Sequence, residues 1–267
     1  MSNNYINFSI IVVSLNTKNK LLKTLQSIYA QKIYRKKYEI IVVDGLSTDG
    51  SLEEILKIDD KIDKLIIEKD YGIYDAMNKG IKNAKGDWII FLNSGDLFYE
   101  DDILQKINSL SLNKSDVIYG DTSVNNNSLK YKVHGNSLNE NCINIPFCHQ
   151  SSFVKSHLLK KYNFDLRYKF SSDFDFFIKL YKDKKSFKKV DLIIGDVEGG
   201  GLSDNNRFGV FFENLKIVFR NAFFLKNYLK IIYFFLFLLL AQFLKLMLPN
   251  IIIDQILRKK YKKNTLN

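Results

Sequence analysis

Residues 38–58 read YEIIVVDGLSTDGSLEEILKI, and this stretch decides the fold class. Its opening is an apolar, β-branched run without polar alternation, the pattern of a strand covered on both faces. An acidic, glycine-containing turn follows, and SLEEILKI from Ser51 then reads as a helix. Working outward, the same couplet recurs. Phe8 to Ser14 (FSIIVVS) precedes the amphipathic LLKTLQSIYAQ from Leu21; Leu65 to Ile67 precedes a helical pattern from Tyr74 to Ala84; Trp88 to Leu92 (WIIFL) closes the series. Buried strands separated by helices are what parallel crossovers require, so the chain is expected to be an α/β protein with a doubly wound, mostly parallel sheet and helices on both faces.

Ligands of such sheets bind beyond the carboxyl ends of the strands. The residues there are Asn16, Asp44, Glu68 with Asp70, and Asn93 with Asp96. Gathering several carboxylates in one crevice is costly unless a cation or a donor-rich ligand neutralises them.

The bulk composition narrows the class. At 267 residues the chain can hold one large core and an appendage, and 46% apolar residues with only 2 prolines place it among folded proteins. Its net charge of +11 lies mostly at one end: residues 205–267 carry 11 Lys/Arg against 2 Asp/Glu, and the preceding 204 carry 29 against 27. A basic tail interleaved with Phe, Leu and Ile suits an anionic membrane surface rather than nucleic acid. Residues 231–244 lack any charge, but Lys245 ends that run short of the roughly 20 apolar residues of a spanning helix. Helices lying in the interface are expected, with a single or re-entrant span, or packing in a homo-oligomer, as alternatives. Cys142 and Cys148 alone cannot make a disulfide framework, which fits a reducing compartment. The first 16 residues read as strand rather than as a signal peptide.

Three motifs carry candidate chemistry. In Asp44-Gly45-Leu46-Ser47-Thr48-Asp49-Gly50 a strand-terminal carboxylate can accept from a ribose hydroxyl or a base N–H, or the segment is a capped turn. Asn93-Ser94-Gly95-Asp96 offers a hard oxygen ligand on a loosened turn, as Mg²⁺ or Mn²⁺ bridging two phosphates requires, or again a cap. Asp173-Phe174-Asp175 can supply a general base, or acids favoured by a helix dipole. The loop Gly199-Gly200-Gly201-Leu202-Ser203 reads either as a phosphate-covering lid or as a hinge.

Taken in order, SIIVVSLN, EIIVVDGLSTDGS, EKDYGIYDAMNKGIKNAKGDWIIFLNSGD, HQSSF and SSDFDFFIKL resemble family 2 of the glycosyltransferases, inverting enzymes of the GT-A fold. The chain is similar within that family to bacterial polysaccharide-assembly members of the colanic-acid, capsule and O-antigen type. The resemblance covers roughly residues 6–204 and is most specific over Asp70–Asp96. It implies a catalytic domain over 1–204, with a nucleotide-binding half over about 1–100 and an acceptor half over about 101–204, followed by the hydrophobic helical tail, 205–267. Ser14, Leu15 and Asn16 would line the nucleotide site, and Asp44 would bind base or ribose. Asp70 and Asp75, with Gly72, would border the diphosphate-sugar pocket, and Asn78 would brace that helix. Asp96 matches the last acid of the family's metal motif, whose first acid is replaced here by Asn93-Ser94. Asp173 matches the catalytic base, with Ser172 where Glu often stands. His149 and Gln150 would contact phosphate or acceptor, as would Asp175.

The resemblance thus implies transfer from a nucleoside-diphosphate sugar, UDP foremost, to a saccharide acceptor, lipid-linked and met at the cytoplasmic face of a bacterial inner membrane. Two other readings stay open. Nucleotidyl transfer would use the same strand-end acids but calls for a glycine-rich triphosphate loop, and Ser14 to Lys23 contains no glycine. An inactive scaffold that binds membrane or partner through the tail would not need acids at 44, 96 and 173.

Overall fold

The computed structural model describes residues 7–58, 61–110, 114–126, 129–221, 224–247 and 264–266. All seven positions of Phe8–Ser14 (β1) and of Tyr38–Asp44 (β2) are buried, because helices cover both faces of the sheet they form. Alternate side chains divide between two cores. Ile11, Val13, Ile41 and Val43 pack with Met77 and Ile81 of α3 (Ile73–Asn83). On the opposite face Ile10, Val12, Ile40 and Val42 meet Leu21, Leu25 and Ile28 of α1 (Lys18–Tyr29) and Ile103, Leu104 and Ile107 of α4 (Ile103–Ser109). A one-residue slip would exchange the two faces of every strand, so this two-sided burial fixes the register.

The sheet order is β3 (Lys64–Ile67), β2, β1, β4 (Trp88–Phe91), β8 (Ser152–Lys155), β6 (Val117–Asn126), β9 (Phe187–Glu198) and β5 (Leu97–Phe98), and β7 (Leu129–Val133) pairs with the later part of β6 on the side opposite β9, beyond β8. The first half, β3 (Lys64–Ile67), β2, β1 and β4 (Trp88–Phe91), is parallel, and Ser14 sits level with Asp44, and Asp44 with Ile67. The helix α2 (Ser51–Leu56) completes the β2-to-β3 crossover. The second half is mixed. β8 (Ser152–Lys155) lies antiparallel between β4 and β6 (Val117–Asn126), while β9 (Phe187–Glu198) runs parallel to β6 and carries the short β5 (Leu97–Phe98) on its edge. The strand read from Asp116 to Gly120 is therefore longer than its apolar text. It continues through Asn126 because β7 (Leu129–Val133) pairs with its polar end. Of the loop read over residues 125–128, Asn125 and Asn126 belong to β6, and 127–128 lie outside the described residues.

Past β8, α5 (Ser156–Tyr162) leads to α6 (Ser172–Lys182), and α7 (Leu202–Asn205) leads to α8 (Arg207–Arg220) and α9 (Phe224–Met247). The boundary read at residue 204 falls just before α8, yet α8 buries Phe211, Ile217 and Val218 in the core of α3 and α6. Glu213 of α8 accepts from the backbone N–H groups of Lys169 (2.8 Å), Phe170 (2.8 Å) and Ser171 (3.0 Å), the residues that launch α6. α9 packs Phe234 and Phe235 on Phe211 and leaves Leu229, Ile232, Tyr233, Leu236 and Leu240 exposed. Among the described residues no helix is long and apolar enough to cross a membrane. The basic cluster Arg258, Lys259, Lys260, Lys262 and Lys263 lies outside the described residues.

Three apolar side chains at about 1.5–3 kcal/mol each amount to a large share of a domain's stability. A chain ending at residue 206 should therefore melt at least 10 °C below the full chain or fail to fold, whereas one ending at 221 should keep a cooperative transition. Thermal melts followed by circular dichroism check this, and equal melting of the 206 form and the full chain would show that α8 is dispensable.

Candidate active site

The carboxyl ends of β1, β2 and β3 form the first part of the crevice. Asp44 is fully buried, and both its oxygens accept from Ser47, Oδ1 from the backbone N–H and Oδ2 from the hydroxyl, each at 2.7 Å. Asp44 thus builds its own turn. Asn16 adopts a left-handed φ of 53°, a conformation asparagine tolerates; its N–H donates to Ser47 Oγ (2.8 Å) and its Oδ1 accepts from Thr48 N–H (2.8 Å). These bonds pin Leu46 at a φ of 67°, a strained position for leucine, whose side chain is exposed, as is that of Leu15.

Asp70 closes this end. Its Oδ1 accepts from Gly72 N–H (2.9 Å), and its Oδ2 lies so close over Gly45 that a Cβ there would collide with it. Glycine at 45 is what admits this approach. Tyr71 beside it is 87% exposed. Gly72, at a φ of 118°, opens α3, and Asp75 turns back to accept from Tyr71 N–H (3.0 Å) while pairing with Lys79 (3.3 Å), a capping arrangement at the start of the helix. Asn78 exchanges two 2.9 Å hydrogen bonds with the backbone of Phe164, bracing α3 against the segment after α5.

The second part is a cavity of about 430 Å³ lined by Tyr74, Asn93, Asp96, His149, Gln150 and Asp173 and covered by residues 199–204. A chain of hydroxyls joins the two parts: Ser14 Oγ lies 3.0 Å from Thr17 Oγ1, which donates to Ser94 Oγ at 2.7 Å. Asp96 leaves β4 on a turn that Gly95 makes at a φ of 107°. Its Oδ2 accepts from Gln150 Nε2 (3.2 Å), and the Glu198 backbone N–H lies 3.4 Å from its Oδ1. Burial pushes the Asp96 carboxyl up to about 6, against the opposing pull of Gln150 and His149. Gln150 is itself oriented by Cys148, whose thiol donates to Oε1 at 2.7 Å; burial and the Asp96 charge push that thiol up to about 12, so it stays a donor.

Asp173 sits in the first turn of α6. Its Oδ1 accepts from Phe174 N–H (2.9 Å) and lies 2.9 Å from the Tyr74 hydroxyl, while its Oδ2 lies 3.1 Å from His149 Nδ1. Burial alone would raise its pKa, but the bond and charge of His149 together with Tyr74 and the Phe174 amide outweigh it and hold the group below the ordinary carboxylate value. Two carboxylates of one cavity are thus pushed in opposite directions, the usual arrangement for distinct roles.

The structure therefore brings Asn93, Asp96, His149, Gln150 and Asp173 together, and groups Ser14, Leu15, Asn16, Asp44, Asp70 and Gly72 at the adjoining strand ends. Asp175 does not join them. Two residues along a helix turn it by roughly 200° from Asp173, and it is buried on the far side in an ion pair with Lys179 (2.6 Å). Tyr74 is a further member of the site; its signal in the sequence is the apolar i, i+3, i+7 spacing of Tyr74, Met77 and Ile81, which the structure buries. No signal in the sequence marks Glu198, which pairs with Lys20 at 2.6 Å beside the Asp96 turn.

Comparison with known proteins bears on this arrangement. The family model described as glycosyl transferase family 2 matches residues 9–186, about two thirds of the chain. PGL/p-HBAD biosynthesis glycosyltransferases of Mycobacterium bovis (BCG) and Mycobacterium tuberculosis are each 31% identical over 205 residues, covering 74% of this chain and 79% of theirs. Among solved structures, S. aureus TarS 1–349 in complex with UDP superposes with a TM-score of 0.61 at 19% identity, over 81% of this chain but 65% of that one, less than two thirds of its length. The mannosyltransferase PcManGT of Pyrobaculum calidifontis, in complex with GDP-Man and Mn2+, gives 0.59 at 15% identity over 83% and 70%. These likenesses carry the fold, of GT-A type, and the matched family model carries the assignment: the chain belongs to glycosyl transferase family 2 and is a glycosyltransferase.

Proposed function

We propose that this protein moves a sugar from a nucleoside-diphosphate sugar, UDP-linked by preference, to a hydroxyl of a saccharide acceptor with inversion at the anomeric carbon. The observation that carries the reading is the pairing of Asp96 and Asp173 across one cavity at the carboxyl ends of the strands. The donor's base and ribose would lie over Ser14–Asn16 and Asp44, where Leu15, Leu46 and Tyr71 present apolar surface to a planar ring. Its diphosphate would lie toward Asp96, and the acceptor hydroxyl would enter from the Asp173 side. Asp173 takes the proton of the acceptor hydroxyl as general base; the oxygen then attacks the anomeric carbon in line as the nucleoside diphosphate leaves with the electron pair of the broken bond. The UDP, UDP-GlcNAc and GDP-Man held by the structural neighbours support the donor class.

A divalent cation, Mg²⁺ or Mn²⁺, fits the end of β4. Asn93 Oδ1 is buried without a hydrogen-bond partner among the described residues, three positions before the Asp96 carboxylate, and both are hard oxygen donors. Among the described residues no three His, Cys, Asp or Glu side chains are grouped to hold an ion. One or two protein oxygens are what Mg²⁺ uses when phosphates and water complete its shell. Such an ion would neutralise charge developing on the leaving diphosphate.

The acceptor is proposed to be polyprenyl-lipid-linked and part of a surface polysaccharide of colanic-acid, capsule or O-antigen type, met at the cytoplasmic face of the inner membrane. The exposed apolar side of α9 and the basic residues 258–263 support this placement. Membrane fractionation at low salt tests it: recovery in the soluble fraction without detergent would favour a homo-oligomer covering that face. The donor is tested by thermal shift of the full chain against UDP-, GDP- and dTDP-sugars with Mn²⁺. A donor at 100 times its Kd should stabilise by about 2.7 kcal/mol, and no shift with any of the three classes would sink the reading.

A further inference from the structure

Resting on that transferase reading, we propose that Lys20 grips the donor's diphosphate, and that the Glu198 carboxylate is the internal anion the diphosphate displaces. Lys20 lies on the side of α1 that meets the Asp96 turn. Thr17 stands three residues before it and Thr24 four after it, the i, i+3, i+7 spacing of one helix face. Thr17 Oγ1 donates to Ser94 Oγ (2.7 Å), and Thr24 Oγ1 accepts from the Gly95 N–H (2.9 Å), so both flanking hydroxyls are fastened to the Asn93–Asp96 turn. Lys20, between them in the chain, lines the cavity. Its ammonium pairs with Glu198 at 2.6 Å. A Cβ at Gly95 would fall 2.9 Å from Glu198 Oε2 and 3.4 Å from Lys20 Cδ, so the ion pair lies directly against that turn.

A diphosphate brings negative charge into a cavity that already holds Asp96 and Asp173, and it needs positive partners there. Among the described residues lining the cavity, Lys20 and Lys169 are the lysines. Lys169 belongs to the segment that launches α6, with its ammonium 5.6 Å from the centre of the Phe170 ring; Lys20 is the one at the Asp96 turn. The exchange needs no backbone movement. Glu198 is anchored by its N–H, 3.4 Å from Asp96 Oδ1, and by its register with Asn125 of β6. The side chains are free to part, being 52% exposed at Lys20 and 42% at Glu198. An exposed ion pair is weak, and a diphosphate tethered by its nucleoside over Asp44 competes for the ammonium at a high effective concentration.

The test is calorimetric titration of the full chain, in Mn²⁺, with UDP, GDP and dTDP and with the matching monophosphates. For the base that the wild type binds, Lys20→Met should weaken the diphosphate about tenfold, the effect of losing one hydrogen bond to a charged group, and leave the monophosphate within about twofold. Lys20→Arg should keep most of the affinity. Glu198→Gln should tighten the diphosphate about two- to fivefold, the range for releasing one exposed ion pair. The double variant should bind no more tightly than Lys20→Met alone, because Glu198 acts through Lys20. Equal losses for diphosphate and monophosphate in Lys20→Met would give the lysine a purely structural role and overturn the proposal. Unchanged or weaker diphosphate binding in Glu198→Gln would overturn it too, since Glu198 would then not compete for the ammonium. Should Lys20→Met fail to fold, the sign of the change in Glu198→Gln still decides. Failure of the transferase reading itself looks different: the wild type then binds none of the three diphosphates.

Discussion

Replacing Asp173 by asparagine should lower sugar transfer by about 10²–10⁴-fold, the usual worth of an acid–base group, while donor affinity changes only a few fold. Asparagine keeps the shape of the side chain, and the Phe174 amide and Tyr74 hydroxyl can still donate to its carbonyl oxygen. What disappears is the charge, which the surrounding donors hold in the ionised form at neutral pH. The amide would also offer N–H where His149 now meets an acceptor, turning the imidazole into its other tautomer. Steady-state kinetics beside calorimetric donor titration separate these effects. Asp175→Asn should instead leave kcat near normal and cost stability, because it breaks the buried pair with Lys179. Near-normal turnover in Asp173→Asn together with loss in Asp175→Asn would exchange the two roles. Asp173 also contributes to the fold: with its pKa depressed on folding, that contribution is present above the unfolded value near pH 4 and is lost as pH falls through the folded one.

Asp96 is expected to show the opposite coupling, and its replacement should separate function from stability. Its folded pKa of about 6 lies above the ordinary value of 3.8, so the folded state binds the proton more tightly. The group therefore favours folding fully below about pH 4 and loses that contribution as pH rises to about 6. Above that pH the ionised carboxylate costs roughly 3 kcal/mol at most, taken from the shift at 1.36 kcal/mol per unit. Asp96→Asn should consequently raise Tm by several degrees at pH 7.5, with little change near pH 4, yet abolish turnover and its dependence on Mn²⁺. A divalent ion would lose the single protein carboxylate of the Asn93–Asp96 turn. Melting curves at the two pH values and activity across a Mn²⁺ titration check both halves. Full activity in excess chelator would remove the metal from the account, and an unchanged Tm at pH 7.5 would mean that burial does not penalise this charge.

The first half of the fold was legible because its signals are local. An uninterrupted run such as FSIIVVS can be buried on two faces in few ways, and a helix after each strand leaves a parallel crossover as the solution. The second half was not, because its pairing is long-range. β8 is a four-residue strand inserted antiparallel between β4 and β6, and nothing in SFVK announces its neighbours. Asp96, just past the end of β4, and Asp173, in the first turn of α6, line the same cavity from positions 77 residues apart. Helical phase was not legible from motif order: Asp75 caps the start of α3 by accepting from the Tyr71 N–H, and Asp175, two residues and roughly 200° around α6 from Asp173, pairs with Lys179. Glu213 escaped because its role is to cap the backbone of a segment more than 40 residues earlier, from a helix whose composition reads as tail.

The central claim, that Asp96 and Asp173 serve sugar transfer from a nucleoside diphosphate at the strand-end crevice, is tested most directly by product analysis. The full chain is incubated with UDP-GlcNAc, GDP-mannose or the corresponding nucleoside triphosphates and Mn²⁺, and released phosphates are identified by chromatography. The account predicts slow release of nucleoside diphosphate and free sugar from at least one donor, reduced by about 10²-fold or more in Asp173→Asn. Release of pyrophosphate from a triphosphate, with the sugar nucleotides left intact, would contradict it and assign the crevice to nucleotidyl transfer.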